Sequence, residues 1–337
     1  MQHGAQRISA TSFAVTRRLE GDITFPHFPL IVRKASCYIL PPAALLLALS
    51  FLPGDDQIVR STQAFSVDYA ATEVSVLSYN THGLPAWIAG DKPKLRFPLI
   101  GQKLNTYDLV LLQEDFAYHK LLLQSATHPT AERGNGARHR ITRLLPFLCG
   151  SCGSGLTTLS RLPRERLLEV DRQQYTNCAG WLGSGNDCWA TKGFLHTRWQ
   201  FAKDVKIAVY NTHLDANDGR KDHQARVAQL NQLREYIAKQ PVDQLLIIGG
   251  DFNLDQDVPQ DKALLDSFIK ALGLIDTQAQ ASRGSWPYRL DYILYRSGGA
   301  ISLELIDAGV ANEFVNGNLP LSDHPPIYAR FRIKHGQ

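Results

Sequence analysis

Residues 245–255 read LLIIGGDFNLD. Four branched aliphatic residues and two glycines suit a strand buried on both faces, since nothing in the run needs water. The run then ends on Asp251, Asn253 and Asp255. Such an ending either turns the chain at the surface or delivers polar groups to a site, because Asp and Asn serve both purposes. One strand cannot separate the two readings, so the same question is put to every strand-like run.

From about residue 70 onward the chain alternates such runs with loops and a few helices. Candidate strands are 74–80, 108–114, 155–160, 192–199, 206–213, 244–250, 290–296, 301–308 and 326–333, rich in β-branched and aromatic residues and punctuated by Gly, Pro, Asn or Asp. Helical periodicity is clearest over 222–239, where Val227, Leu230, Arg234 and Ile237 mark successive turns and Leu233 joins Leu230 inside. Further helices are expected at 261–272 and at about 94–105, and 128–140 reads as a polar loop. No repeat of fixed period and no linker composition is visible after residue 70. The simplest division is a tail with an apolar segment over 1–64 and one catalytic domain over 65–337.

Six of the apolar runs present polar groups at one end. They offer Asn80, then Glu114, then Asn211 with His213 and Asp215, then Asp251 with Asn253, then Asp291, and last Asp323 with His324 before the final strand. Ligand sites in layered α/β proteins gather at strand ends, where loops give access and the sheet gives rigidity. Turn chemistry alone does not account for six such endings. Carboxylate and amide oxygens suit a hard divalent cation such as Mg²⁺, with Mn²⁺ the alternative. Histidines oriented by carboxylates suit proton transfer. No sulfur ligand and no His-Glu-x-x-His accompanies the set, which argues against zinc. No G-x-S-x-G elbow occurs, which argues against a serine hydrolase.

Composition narrows the setting. The chain has 337 residues, 44% hydrophobic and 20% charged, with a net charge of +4. Residues 61–337 hold 30 basic against 28 acidic groups. Non-specific nucleic-acid binding calls for a stronger basic excess. Arg33 and Lys34 precede the uncharged run 37–53, CYILPPAALLLALSFLP, the pattern of an export signal or a signal anchor through which the chain would associate with a membrane. Four cysteines remain in the body, and an even number close in sequence suits an oxidising compartment, periplasmic or extracellular. Proximity favours Cys149–Cys152 and Cys178–Cys188, and the C-x9-C spacing of the second pair is not that of a zinc ribbon.

The series YN, QE, NTHLDA, GGDFN, LDYIL and SDH, in that order, resembles the endonuclease/exonuclease/phosphatase superfamily of Mg²⁺-dependent phosphodiesterases, over roughly residues 72–333. The resemblance implies a four-layer α/β/β/α sandwich of two mixed sheets flanked by helices. It further implies metal ligation by Glu114, with Asn80 beside it and Asp291 helping to hold the metal or standing behind the ligands. His213 would stabilise the phosphoryl oxygens. Asp251 and Asn253 would orient water and phosphate, and His324 would act as general base held in its tautomer by Asp323. GSGLTTLSRLP (153–163) with DCWATKGFLHTRW (187–199) resembles the neutral sphingomyelinase branch, which implies a phospholipid substrate and makes Lys192 and Asn211 substrate-binding groups. An exported nuclease acting on nucleic acid is the second expectation, with the 128–140 loop as its phosphate contact. A non-catalytic binding module is a third, opposed by the presence of every polar group in the series. Trp181, Trp189 and Trp286 stand in loop-like stretches where indoles could meet lipid. His82, His119, His128, His139 and His223 have no pattern placing them in the site.

Overall fold

The computed structural model describes residues 73–136, 153–180, 184–281 and 289–335, all within one compact unit. One six-stranded sheet contains β1 (Glu73–Asn80), β2 (Leu109–Gln113), β3 (Thr130–Arg133), β4 (Thr157–Ser160), β11 (Ile301–Val310) and β14 (Ile327–His335), in the order β11-β14-β1-β2-β4-β3. The second contains β5 (Leu167–Gln174), β6 (Gly193–Ala202), β7 (Val205–His213), β8 (Leu245–Asp251), β9 (Ile275–Asp276) and β10 (Asp291–Arg296), in the order β5-β6-β7-β8-β10-β9. Each sheet has one parallel pair, β1 with β2 and β7 with β8. A parallel pair requires a crossover. The first passes through α1 (Ala86–Ala89) and α2 (Pro93–Leu104), the second through α4 (Arg220–Ala238). Helices α3 (His119–Ser125), α5 (Pro259–Leu272) and α6 (Thr277–Gln280) follow β2, β8 and β9, and β12 (Val315–Asn316) pairs with β13 (Leu319–Pro320) as a small hairpin.

Side chains alternate along each central strand, and the two faces meet different partners. Val74 and Val76 of β1, Leu109 and Leu111 of β2, Ile207 and Val209 of β7, and Leu245 and Ile247 of β8 fill the seam between the sheets. Leu77, Tyr79, Val110 and Leu112 face Phe97, Ile100 and Leu104 of α2 and Leu122 of α3. Ala208, Tyr210, Leu246 and Ile248 face Leu230, Leu233 and Ile237 of α4 and Leu265 and Phe268 of α5. The architecture is therefore helix layer, sheet, sheet, helix layer, as the resemblance implies.

All nine expected strands and all three expected helices are present, with shifted ends. Among strands longer than two residues, two were not expected; the two-residue β9, β12 and β13 were not expected either. Residues 130–133 are strand β3 rather than loop, and polar 167–174 is strand β5. Both are edge strands, and an edge can be polar because one side of it faces water. Helix α4 also departs from its reading. Val227 and Arg234 are only half-buried, while Asp222, Arg226 and Gln229 are buried in its first half. Residues 37–53, the Cys149 and Cys152 pair, and Trp181 and Trp286 lie outside the described residues. Among the described residues no helix is long and apolar enough to cross a membrane. The Cys178–Cys188 disulfide is present, with Cα atoms 5.3 Å apart.

Candidate active site

The seam between the sheets is apolar at one end and turns polar at the other. Along β1 the inward positions run Val74, Val76, Ser78, Asn80; along β7, Ile207, Val209, Asn211, His213; along β8, Leu245, Ile247, Gly249, Asp251. The parallel pairs make these ends coincide. In the second sheet His213 pairs with Asp251, and Asp251 pairs with Asp291, so three adjacent strands present imidazole and two carboxylates in one row.

The first sheet answers with Asn80 and Glu114. Asn80 Nδ2 donates to Glu114 Oε1 and to Asp251 Oδ2, each at 3.0 Å, so one amide spans the seam. Its Oδ1 accepts from the His82 backbone N–H at 3.0 Å. Glu114, His82 and Asn253 hold left-handed backbone with φ of 52°, 48° and 49°. Three residues in that region beside one site are backbone strain gathered at a functional position. The Glu114 turn is clamped by glycine, since a Cβ on Gly83 would lie 2.3 Å from Glu114 O.

Asp251 is the centre of the site. Its Oδ2 lies 3.5 Å from His213 Nε2 and 3.8 Å from His324 Nε2, and its Oδ1 accepts from the Asn253 backbone N–H at 2.9 Å. Burial pushes this carboxyl up to about 6, against the pull of His324. Asn253 Nδ2 donates to Leu214 O at 3.1 Å.

His324 Nδ1 stands 2.7 Å from Asp291 Oδ2. A carboxylate only accepts, so Nδ1 carries the proton and Nε2 is the atom turned toward Asp251. Desolvation opposes the imidazolium, but Asp291 and Asp251 outweigh it and hold His324 well above the usual imidazole range. The orienting carboxylate is therefore Asp291 and not Asp323. Asp323 is exposed, 58% by its side chain, and stands 3.6 Å from His82 Nδ1. Residues adjacent in sequence on a tight loop point apart, whereas Asp291 reaches His324 from β10.

Two substrate-binding expectations also change. Asn211 donates to Leu112 O and Thr157 O, both at 3.0 Å, and accepts from Gln113 Nε2 at 2.8 Å. Its amide is a clasp between the sheets. Lys192 is buried rather than solvated, with Nζ 2.7 Å from Asp187 Oδ1, 2.7 Å from Leu214 O and 3.2 Å from His213 Nε2. An ammonium has three donors, so none remains for a phosphate in this conformation. The same contact forces His213 Nε2 to accept. Burial, then the charges of Lys192 and His324, hold His213 well below the usual range, as a neutral ring.

Behind Lys192 lies a network of which sequence reading noted Asp215, Arg226 and Gln229 but missed the link through Asp187. The Cys178–Cys188 link closes the loop bearing Asp187, whose Oδ2 accepts from the Ala216 N–H at 2.7 Å. Gln229 Nε2 donates to Asp215 Oδ1 at 2.6 Å and Arg226 Nη1 to Asn217 O at 2.6 Å. The buried polar half of α4 thus holds the 215–217 loop. The available signal was Asp187 five residues before Lys192 within DCWATK. His82 is the second miss, 20% exposed at the rim, where an imidazolium would favour the ionised form of Glu114.

The donor set fits a hard cation. Glu114 Oε2 and Asp291 Oδ1 are buried oxygens with no hydrogen-bond partner among the described residues. Burial raises the Glu114 carboxyl, so an ionised Glu114 needs positive charge nearby. One oxygen each of Asp251 and Asp291 and one His324 nitrogen lie within 4.8 Å of one another.

Comparison with known proteins agrees with this geometry. A family model described as the Endonuclease/Exonuclease/phosphatase family matches residues 77–324. A sphingomyelinase of Mycobacterium bovis is 30% identical over 281 residues, covering 78% of this chain and 54% of that protein. The chain thus spans about half the length of the curated relatives it matches. Sphingomyelinase C of Streptomyces griseocarneus superposes with a TM-score of 0.54 at 20% identity, over 77% of this chain and 99% of the other. A Staphylococcus aureus beta toxin variant, solved with bound magnesium ions, gives 0.54 at 18% identity, over 79% of this chain and 100% of the other. At these identities the solved structures speak to the fold alone. With more than half of its length matched by the family model and the polar seam in place, the chain belongs to the endonuclease/exonuclease/phosphatase family.

Proposed function

We propose that this chain is a metal-dependent phosphodiesterase that acts on a sphingomyelin-like phospholipid. The observation that carries the hydrolytic reading is the row His213–Asp251–Asp291 in one sheet, facing Asn80 and Glu114 in the other, with His324 Nε2 aimed at Asp251. The mycobacterial relative carries the lipid reading.

Glu114, with Asn80 beside it and Asp291 Oδ1 free, would hold Mg²⁺ or Mn²⁺. A cation there draws charge from the phosphoryl oxygens and lowers the barrier to attack. The residues do the rest. Asp251 and Asn253 orient the water and the phosphate. His324 Nε2, once neutral, takes the proton of the attacking water, while Nδ1–H stays on Asp291 and fixes the ring. His213, kept neutral beside Lys192, presents its ring to the phosphoryl group. Water attack at phosphorus in line with the leaving oxygen cleaves the diester.

Export to an oxidising compartment is part of the reading, supported by the Cys178–Cys188 disulfide and by the basic flank before 37–53. Membrane association through that segment, and residues 65–337 as the catalytic domain, belong to it as well. The test is turnover by the purified full chain with Mg²⁺ on sphingomyelin in mixed micelles beside plasmid DNA. Phosphocholine release without nicking is expected. Nicking without phosphocholine release would make this a nuclease, and the absence of both activities would overturn the hydrolytic reading.

A further inference from the structure

Two loops bearing site groups come from opposite ends of the described chain. Residues 81–85 follow Asn80, and residues 321–326 carry His324 into β14. The ladder of β1 fixes Asn80, but His324 lies outside β14, so no strand pairing sets its distance from Asn80. One side chain from a third element, Arg96 of α2, donates to both loops. Arg96 stands in the first half of α2 beside buried Phe97, with its charged end turned inward and only 8% exposed. Its Nη1 donates to Thr81 O at 2.7 Å and to Leu321 O at 2.9 Å. Its Nη2 donates to His82 O at 2.5 Å and lies 2.8 Å from Asp91 Oδ2. Beside this fork Ser322 Oγ donates to Asn80 O at 2.7 Å.

Buried loop carbonyls need donors, and a planar guanidinium can serve carbonyls on two chain segments at once in a fixed relative position. An ammonium is a point donor on a flexible stem and does not impose that plane. The fork lies directly behind the site. Thr81 and His82 follow the amide that contacts Glu114 and Asp251, and Leu321 is three residues before the imidazole that contacts Asp291 and Asp251.

We propose that Arg96 is a positioning residue for the hydrolytic site, its guanidinium tying the loop after β1 to the loop before β14 and so setting His324 against Asn80, Asp251 and Asp291. This rests on the phosphodiesterase reading above. Arg96 touches no reacting atom. Its loss acts through the approach of His324 and the placement of Asn80 beside Glu114, which affects the chemical step and cation binding more than substrate binding.

The experiment compares the full-length wild type with Arg96→Lys, Arg96→Ala, Ser322→Ala and Arg96→Lys/Ser322→Ala. Readouts are kcat and KM on bis-p-nitrophenyl phosphate with Mg²⁺, Mn²⁺ affinity by calorimetry, and Tm. Arg96→Lys is expected to lose about tenfold or more in kcat and a similar factor in Mn²⁺ affinity, the usual cost of removing a group that orients ligands, with KM changed by less than about threefold. Millimolar guanidinium is expected to restore part of the Arg96→Ala loss. The double variant is expected to lose less than the product of the single losses, because both groups hold the same pair of loops. A purely structural residue would lower Tm and leave kcat and Mn²⁺ affinity of the folded protein within about twofold of wild type, and that result overturns the proposal. If Arg96→Ala fails to fold, Arg96→Lys and Ser322→Ala decide the matter by the same criteria. If the wild type itself shows no turnover, the hydrolytic reading fails. The Mn²⁺ titrations then decide on Arg96 alone, equal affinity in wild type and Arg96→Lys overturning it.

Discussion

Asp251 serves Asn80, His213 and His324 with one oxygen and the Asn253 backbone with the other. Asparagine in its place keeps the shape but replaces one acceptor with a donor and removes the charge that steadies His324. Asp251→Asn is expected to lose about 10²-fold or more in kcat with the fold retained, since groups that activate a nucleophile contribute at least that much. Turnover above about a tenth of wild type by the same initial-rate assay would show that the site does not centre on Asp251. His324→Ala should lose a comparable factor, and Asp323→Asn should lose little. That contrast, read from kcat on bis-p-nitrophenyl phosphate, separates the carboxylate at His324 Nδ1 from its exposed sequence neighbour.

At the scale of the element, β8 shows why its sequence breaks from Leu and Ile to Gly before the aspartate. A Cβ on Gly249 would lie 2.5 Å from Leu111 Cδ1 and 3.5 Å from Ser78 Cβ, so the facing sheet leaves little room for a side chain there. Gly249→Val therefore crowds the buried Leu111 side chain, and urea midpoints should report a loss of about 1–3 kcal/mol, typical of overpacking. The 178–188 loop poses a different question. Its disulfide closes a separation of 10 residues, so Cys178→Ser/Cys188→Ser is expected to cost about 2–3 kcal/mol on the chain-entropy account. Because the same loop carries Asp187 to Lys192, that double variant should also lower kcat under conditions where it remains fully folded. Unchanged kcat would reduce the disulfide to a stabilising role.

For the whole molecule the informative variables are pH and cation. Burial holds the His128 imidazole below its ordinary range, against the hydrogen bond between its Nε2 and Tyr107 O, and burial lowers His196 likewise. The unfolded chain takes up these protons near pH 6.5 while the folded chain does not. Their contribution is therefore complete above about pH 6.5 and is lost as pH falls below it, by up to about 1.4 kcal/mol per pH unit for each group. Urea unfolding at pH 7.5 and 5.5 should show His128→Gln losing less stability than wild type on acidification, and an equal loss would refute the assignment. A cation that binds only the folded chain raises its stability by about 2.7 kcal/mol at a hundredfold excess over Kd. Mg²⁺ or Mn²⁺ should thus raise Tm, EDTA should reverse the rise and abolish turnover, and Glu114→Gln should blunt the Tm response.

What the sequence determined was the layer architecture and the end of the sheets where chemistry is placed. The layers were implied by the resemblance of the motif series to the family, whereas the polar end follows from a local rule, the abrupt ending of each apolar strand, as in LLIIGG followed by Asp251. Asn80, Glu114, His213 and Asp251 were legible for that reason. Only the tertiary structure decided the pairings. Asp291 rather than Asp323 meets His324, Asn211 clasps the sheets, Lys192 is spent on Asp187 and His213, and Arg96 joins Thr81 to Leu321, which lies 225 residues beyond Arg96 in sequence. Sequence distance carries no information about such contacts, because a hydrogen bond depends on where two strands and two loops converge in space. The polar edge strands β3 and β5 were missed on the same ground, since pairing with a neighbouring strand, and not their own composition, makes them strands.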